Sequence, residues 1–262
     1  MVETSKRGVL ILSIDLESDH PRHGRAPQWT LQGLAEELVA LLARYEAVAT
    51  WAVADPATSP ATVTVLTSGM GHEMAILGAP SWVGTGAGRR RFAQQLTRRV
   101  EAARDENLAV SSLILRNNTL DDHLDLLVKR GITAVRPGQG GAARSAKLPQ
   151  PGPLRYGVWA IPAAAVLPAA THWFGAGIVT HAAQRAIDRA VAYSATLHLA
   201  IDGPRMLERP AAGLKLLESM LRHASQRREE GRLELQTLAA AASTLSQLGC
   251  VIPLRSILRP AA

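Results

Sequence analysis

The chain has 262 residues, a length that α/β barrels often reach as one unit, and 47% of its residues are apolar, which excludes a disordered chain. Its formal net charge is +7, but the basic residues are spread along the chain without a nucleic-acid reading motif, so we expect no nucleic-acid partner. A single cysteine, Cys250, excludes an internal disulfide bond and a cysteine-based metal cluster.

No apolar run reaches the length of a transmembrane helix. The run that follows Lys6 and Arg7 ends at Asp15, which makes it too short for the hydrophobic core of a signal peptide. The sequence therefore predicts a cytoplasmic protein with no membrane partner. It contains no feature that specifies an oligomeric state.

Short apolar runs alternate with amphipathic patterns along the chain. Seven runs are predicted as strands, because continuous Val, Ile and Leu stretches of this length are typical of parallel strands that are buried on both faces. In chain order the predicted strands cover residues 9–15, 48–53, 73–77, 110–116, 133–136, 157–161 and 196–201. The segment 137–153 is rich in Gly, Pro and Ala and is predicted to be a surface loop.

Five helices are predicted between and after these strands. Thr30 can cap the first helix, whose leucines from Leu31 to Leu42 form one apolar stripe. The other helical patterns cover residues 90–103, 119–130, 182–192 and 214–230. This alternation predicts an α/β fold: a single irregular (β/α) barrel of about seven strands, with one domain over residues 1–262 and a C-terminal tail from about residue 250.

Polar residues lie at or near the ends of several predicted strands. Asp15 ends the first strand, Arg116 ends the fourth, and His198 lies within the last. In a barrel of this kind the chemistry gathers at the carboxyl ends of the strands. These three residues are therefore the candidate catalytic residues.

Five motifs follow one another along residues 9–245: LILSIDLES, ATWAVADPA, GHEMAILGAPSW, LILRNNTLDDHLDLLVKRGITAV and TLHLAIDGP. In this order they resemble the motifs of the polysaccharide deacetylases, the NodB-homology group of carbohydrate esterases. The resemblance implies a metal-dependent hydrolase that removes an N-acetyl group from an amino sugar. In such a reaction a divalent metal polarises the carbonyl group and activates a water molecule.

The resemblance also implies roles for the three candidate residues. Asp15 matches the catalytic base, Arg116 matches an arginine that orients this base, and His198 matches a histidine that acts as general acid. Without the resemblance, Arg116 can equally be a structural ion-pair partner of Asp15, and His198 can equally be a core histidine. Both interpretations stay open at the level of the sequence.

The metal-binding part of the resemblance is incomplete. Leu16 stands where the family has a second acidic residue, and Glu17 comes one position later. Leu77 and Ser81 stand where the family has two metal-binding histidines. A catalytic zinc normally has three protein ligands, and neither an aliphatic side chain nor a serine replaces an imidazole.

A substitute metal site can be sought after the first strand. Asp19, His20 and His23 supply ligand types that suit a zinc-like divalent metal, which is the cofactor expected if the protein is active. Pro21 lies between the two histidines and favours a loop, in which their spacing has no helical meaning. The three residues are therefore the metal-ligand hypothesis.

Three functions fit these observations. The first is a polysaccharide deacetylase-like hydrolase, and the second is a catalytically inactive barrel that binds a carbohydrate or another small polar ligand. The third is a scaffold subunit. Trp82 and Glu17 are the candidate ligand-binding residues, since Trp82 follows the third motif and tryptophan often contacts sugars. Because function depends on the site and not on the fold, the arrangement of these side chains is needed to distinguish the three functions.

Overall fold

The computed structural model of this protein describes residues 7–17, 30–83, 88–116, 120, 123–138, 148–167 and 176–251. These residues form one curled sheet with helices packed on its outer face. The strands are β1 Gly8–Asp15, β2 Thr50–Val53, β3 Glu73–Gly78, β4 Val110–Leu115, β5 Ala134–Arg136, β6 Gly152–Pro153, β7 Trp159–Ala160, β8 Ala165–Leu167, β9 Thr196–Asp202 and β10 Leu233–Gln236.

The predicted α/β barrel-like class is confirmed, and each of the seven predicted strands is present. The predicted number is too low, because β6, β8 and β10 were not expected. The strand order is β6-β7-β5-β4-β3-β2-β1-β9-β8, and β10 pairs with the first half of β1. Every described pairing is parallel except that of β6 with β7.

Helices are present at all five predicted places, and the described residues contain three more. They are α1 Leu31–Arg44, α2 Pro60–Thr67, α3 Arg89–Asp105, α4 Leu124–Lys129, α5 Ala176–Tyr193, α6 Gly203–Met206, α7 Pro210–Glu229 and α8 Leu238–Val251. The predicted cap of α1 is confirmed, since Thr30 Oγ1 accepts a hydrogen bond from Gly33 N at 3.0 Å. α4 begins at Leu124 and not at the predicted Thr119, which lies outside the described residues.

β1 illustrates how the sheet is buried on both faces. Leu10, Leu12 and Ile14 belong to an apolar cluster that includes residues of α1, α5 and α7 on the outside. Ile11 belongs to a different cluster inside the curled sheet. Because side chains alternate along a strand, Ser13 and Asp15 lie on the same inner face as Ile11. The sequence of β1 thus places a hydroxyl and a carboxylate inside the sheet.

The amino end of the sheet is closed by the start of α8. The backbone N–H of Leu238 donates to Oγ1 of Thr50 at 2.8 Å, and that of Ala239 donates to a carboxylate oxygen of Glu73 at 3.0 Å. The Thr50 hydroxyl donates to the same Glu73 oxygen at 2.9 Å. Leu238 is fully buried in the interior cluster, so α8 seals this end with apolar packing and satisfied helix amides.

Residues 161–164 join the two sides of the curled sheet. The N–H of Ile161 donates to the carbonyl of Val135 in β5 at 2.8 Å, and the N–H of Ala164 donates to the carbonyl of His198 in β9 at 2.7 Å. β5 and β9 are far apart in strand order, but this segment brings them together. The segment therefore links β5 to the middle of β9.

None of the helices among the described residues combines the length and the apolar character that crossing a membrane requires.

Candidate functional site

Asp15 lies inside the carboxyl end of the sheet, as the last residue of β1. Its register partners are Ala52 in β2 and Asp202 in β9. Only 5% of the Asp15 side chain is exposed. A carboxylate at this depth requires opposite charge or hydrogen bonds, and the ends of two further strands provide both.

Two arginines contact the same carboxylate oxygen. Nη2 of Arg136, the last residue of β5, donates to Oδ2 of Asp15 at 2.6 Å. Nε of Arg116, which directly follows β4, lies 3.4 Å from this oxygen. The Arg136 side chain is 4% exposed and the Arg116 side chain is 14% exposed. Arg136 therefore makes the short, buried contact, and Arg116 makes the longer contact on the more open side.

A chain of buried hydrogen bonds continues from Arg136. Its Nη1 donates to Ser13 Oγ at 2.7 Å, Ser13 Oγ lies 2.8 Å from Nε2 of His198, and Nδ1 of His198 lies 3.0 Å from the carbonyl oxygen of Ile161. A carbonyl oxygen can only accept, so Nδ1 of the neutral imidazole carries the proton and donates a hydrogen bond to the carbonyl of Ile161. Nε2 is then an acceptor, and the Ser13 hydroxyl, which accepts from Arg136, donates a hydrogen bond to Nε2.

This arrangement defines the protonation of His198. The pKa of His198 is lowered to about 3, mainly by burial and then by the positive charge of Arg136, while the hydrogen bond to Ile161 acts in the opposite direction. The ring is therefore neutral near pH 7, and its site-facing nitrogen carries no proton. The role of general acid, which the resemblance implies for His198, stays a prediction; in the structure the histidine holds Ser13 and, through it, Arg136.

The second oxygen of Asp15 is an unmatched acceptor. Oδ1 is buried and has no hydrogen-bond partner among the residues that the structure describes. An unmatched buried acceptor costs about 1–3 kcal/mol, which a ligand or water group can offset by donating a proton to it. The guanidinium charges beside Oδ1 favour an electron-rich oxygen on the same ligand. The site thus suits a polar group that both donates and accepts.

The described residues do not form the metal site that the resemblance implies. Leu77 is 3% exposed and packs in the interior cluster, and Ser81 is exposed. Within the described ranges no group of three His, Cys, Asp or Glu side chains could hold a metal ion. Asp19, His20 and His23 lie outside the described residues, so their role as metal ligands stays a prediction.

The two predicted ligand-binding residues have other contacts. Oε1 of Glu17 accepts the N–H of Ala54 at 2.8 Å and so ties the chain after β1 to the chain after β2. Trp82 is 2% exposed, lies 5.8 Å from the ring of Phe92, and has the guanidinium of Arg99 4.8 Å from its ring centre. The role of Trp82 in ligand binding stays a prediction; its ring is packed in the core and beneath an arginine.

Sequence reasoning missed two residues of the site. Ser13 lies two positions before Asp15, and the alternation of side chains in a strand could have placed both on one face. Arg136 ends a predicted strand, as Asp15 does, and the same rule of strand ends could have found it. A single arginine next to Pro137 is more typical of a surface, so the residue type alone gave no signal of this role.

Comparison with known proteins shows similarity in fold alone. No family model matches the sequence, and no curated protein matches it. A structure from Mycobacterium smegmatis, of a protein predicted to be a polysaccharide deacetylase, matches with a TM-score of 0.65 and 14% identity over 100% of this chain and 97% of that one. A protein from Bordetella bronchiseptica, predicted to be a polysaccharide deacetylase involved in O-antigen biosynthesis, matches with a TM-score of 0.50 and 13% identity over 84% and 91% of the two chains.

A third structure comes from a different group of carbohydrate-active enzymes. The 4-α-glucanotransferase of Thermococcus litoralis matches with a TM-score of 0.58 and 13% identity, over 90% of this chain and 40% of that one. The fold is therefore shared by proteins with different reactions, and it does not by itself assign one. The resemblance in the sequence motifs is confirmed at the level of architecture: the chain has the fold of the polysaccharide deacetylases.

Proposed function

We propose that this protein is a barrel of the polysaccharide deacetylase fold that binds a carbohydrate derivative, or another small polar ligand, at the carboxyl end of its sheet. The observation that carries the proposal is the buried cluster of Asp15, Arg116 and Arg136. It offers an acceptor oxygen and guanidinium charge side by side, which is the pattern that sugar hydroxyl groups satisfy by donating and accepting at once. The carbohydrate class is suggested by the proteins that share the fold, which carry names of polysaccharide and glucan enzymes.

Binding without hydrolysis is favoured by two features of the cluster. The imidazole of His198 has no proton to give to a leaving group, because its Nε2 accepts from Ser13. The positions that correspond to the metal-binding histidines hold Leu77 and Ser81. Among the described residues, the buried carboxylate and guanidinium groups support binding, while His198 and the residues at positions 77 and 81 give no support to the family's hydrolysis.

The second candidate is N-deacetylation of a carbohydrate derivative. It is favoured by Asp15, which matches the family's catalytic base and keeps Oδ1 without a partner among the described residues. This function requires metal ligands and a proton donor from elsewhere in the chain. Asp19, His20 and His23 are the residues that would hold the metal, which would polarise the carbonyl group of the substrate.

A ligand screen tests the proposal. Metal-free protein is heated with amino sugars, N-acetylated amino sugars and short oligosaccharides, and a bound ligand is expected to raise the midpoint of thermal unfolding. The shift should disappear in Arg116→Gln and persist in Arg130→Gln, a matched change in an exposed arginine that pairs with Glu101 away from the cluster. No shift with any carbohydrate would refute binding. Release of acetate that depends on added zinc or cobalt and on Asp15 would establish the second candidate instead.

A further inference from the structure

We propose that the guanidinium of Arg136 is the resident cation of this site and takes the place that a divalent metal ion would need beside Asp15. The inference rests on the proposed function, because it concerns how the same site meets its ligand. It makes Asp15 an acceptor that works without a metal.

The first argument is the contact itself. Oδ2 of Asp15 accepts from Nη2 of Arg136 at 2.6 Å, and both side chains are at most 5% exposed. Charge-assisted hydrogen bonds of this length are among the strong ones in proteins. One of the two carboxylate oxygens is therefore already bound to a cation of the protein's own.

The second argument is that Arg136 is held in place. Nη1 donates to Ser13 Oγ at 2.7 Å, and Ser13 and His198 are 0% and 2% exposed. If the guanidinium moved away, the Ser13 hydroxyl and the Asp15 carboxylate would each lose a buried partner. Because His198 is neutral, it adds no charge that would push the guanidinium out. The hydrogen-bonded chain from Ile161 through His198 and Ser13 thus positions the cation.

The third argument is electrostatic. A divalent metal ion on Oδ1 of Asp15 would lie beside the guanidinium of Arg136, which already bonds to the other oxygen of the same carboxylate. Like charges a few ångströms apart repel strongly in a partly buried site. The described residues provide no set of three ligands that would compensate for this repulsion. Oδ1 is instead suited to a neutral O–H or N–H donor of the ligand.

Nuclear magnetic resonance of the wild-type protein tests this inference without a substitution. Long-range correlations between the ring protons and nitrogens of histidine report tautomer and charge. In metal-free protein we expect His198 to be neutral with its proton on Nδ1, both near pH 7 and near pH 5. Adding Mn²⁺ alone, in molar excess, should leave the His198 signals as narrow as those of His72, which precedes β3 at the opposite end of the sheet. Selective broadening of His198 by Mn²⁺, or a charged His198 at neutral pH, would overturn the inference.

Calorimetric titration with Co²⁺ provides a second measurement. The Co²⁺ affinity of Asp15→Asn should stay within about twofold of the wild-type affinity. Asp125→Asn, in which an aspartate paired with the exposed Arg89 is changed, is the matched control. A stoichiometric Co²⁺ site that weakens tenfold or more in Asp15→Asn but not in Asp125→Asn would contradict the inference.

The two proposals can fail separately. If a carbohydrate stabilises the metal-free protein while Mn²⁺ broadens His198, the resident-cation inference is wrong and the ligand-binding function stands. If no carbohydrate stabilises the protein while His198 stays narrow and neutral, the inference stands and the ligand-binding function is wrong.

Discussion

The two ends of the curled sheet each bury a carboxylate, and they treat it differently. At the carboxyl end, Asp15 is bound by the guanidinium of Arg136, with Arg116 close by. At the amino end, no cation of the described residues bonds to Glu73; it accepts from the Thr50 hydroxyl and from the first turn of α8. Burial raises the pKa of Glu73, while these hydrogen bonds act to lower it.

The difference teaches what each end is built for. The partners of Glu73 are a helix amide and a hydroxyl, and through these hydrogen bonds Glu73 holds α8 over the amino end of the sheet. Each carboxylate has one buried oxygen without a hydrogen-bond partner among the described residues, Oδ1 in Asp15 and Oε1 in Glu73. The ends differ in the partner of the other oxygen, which is a guanidinium at the carboxyl end and neutral donors at the amino end.

Removing the carboxylate of Asp15 should have the largest effect. Asp15→Ala leaves the guanidinium of Arg136 buried without its carboxylate partner, so we expect a loss of about 3–5 kcal/mol in the free energy of unfolding, measured with urea. The double variant Asp15→Leu with Arg136→Met removes both charges and should recover most of this loss. A single variant that costs less than about 1 kcal/mol would show that the ion pair is not buried as described.

The neutral His198 predicts a loss of stability in acid. Its pKa is lowered from 6.5 to about 3. Between these two pKa values, His198 therefore binds a proton in the unfolded chain but not in the folded protein. The stability that depends on neutral His198 is complete above pH 6.5 and declines as the pH falls from 6.5 towards 3, by at most about 1.4 kcal/mol per pH unit for one proton.

This acid slope can be measured by urea unfolding at a series of pH values. His198→Asn should flatten it over the whole interval. His72→Gln should flatten only the upper part, because burial lowers the pKa of His72 less far, to about 4. If His198→Asn kept the wild-type slope, the histidine would not be neutral in the folded protein.

At the amino end the expected effect is smaller. Glu73→Ala removes the acceptor for Ala239 N and Thr50, and we expect a loss of about 1–3 kcal/mol, with proteolysis of α8 as a second readout. Glu73→Gln keeps an acceptor oxygen and should lose less. Because the pKa of Glu73 is raised while that of His198 is lowered, the two residues give opposite pH dependences of stability. The stability that Glu73 contributes is complete below its ordinary pKa of 4.5 and is lost as the pH rises above this value. Glu73→Gln should remove this decline, and an unchanged decline would contradict the assignment.

The smallest change tests the outer end of α8. Trp159 Nε1 donates to Ser246 Oγ at 2.8 Å, in an exposed contact between β7 and the helix. Ser246→Ala should cost about 0.5–1 kcal/mol, measured by urea unfolding. Thr244→Ala, on the same helix, is the matched control, because the Thr244 hydroxyl bonds within α8 to Ala240. A larger loss in the control would mean that α8 is stabilised by its own bonds and not by docking.

Much of the fold could be predicted from the sequence, because its strands are local patterns. The long apolar runs of β1, β4 and β9 are recognisable as strands in the sequence. β6 and β8 have only two and three residues, which is too short to show a periodicity of apolar residues. α2 was missed because its sequence PATVTVLT is short and mixes β-branched residues into both faces. Short elements are stabilised by contacts with neighbouring elements, so no local sequence pattern predicts them.

The site divides in the same way. By itself the sequence determined that Asp15 closes a buried strand and that Ser13 shares its face, since both follow from the alternation of side chains in β1. Only the tertiary structure decided that Arg136, 121 positions away, is the partner of Asp15. It also decided that His198 is neutral and positions Ser13. The face of the sheet on which a side chain lies is fixed by the local strand conformation. Its charge state and its partner depend on which distant groups are buried beside it.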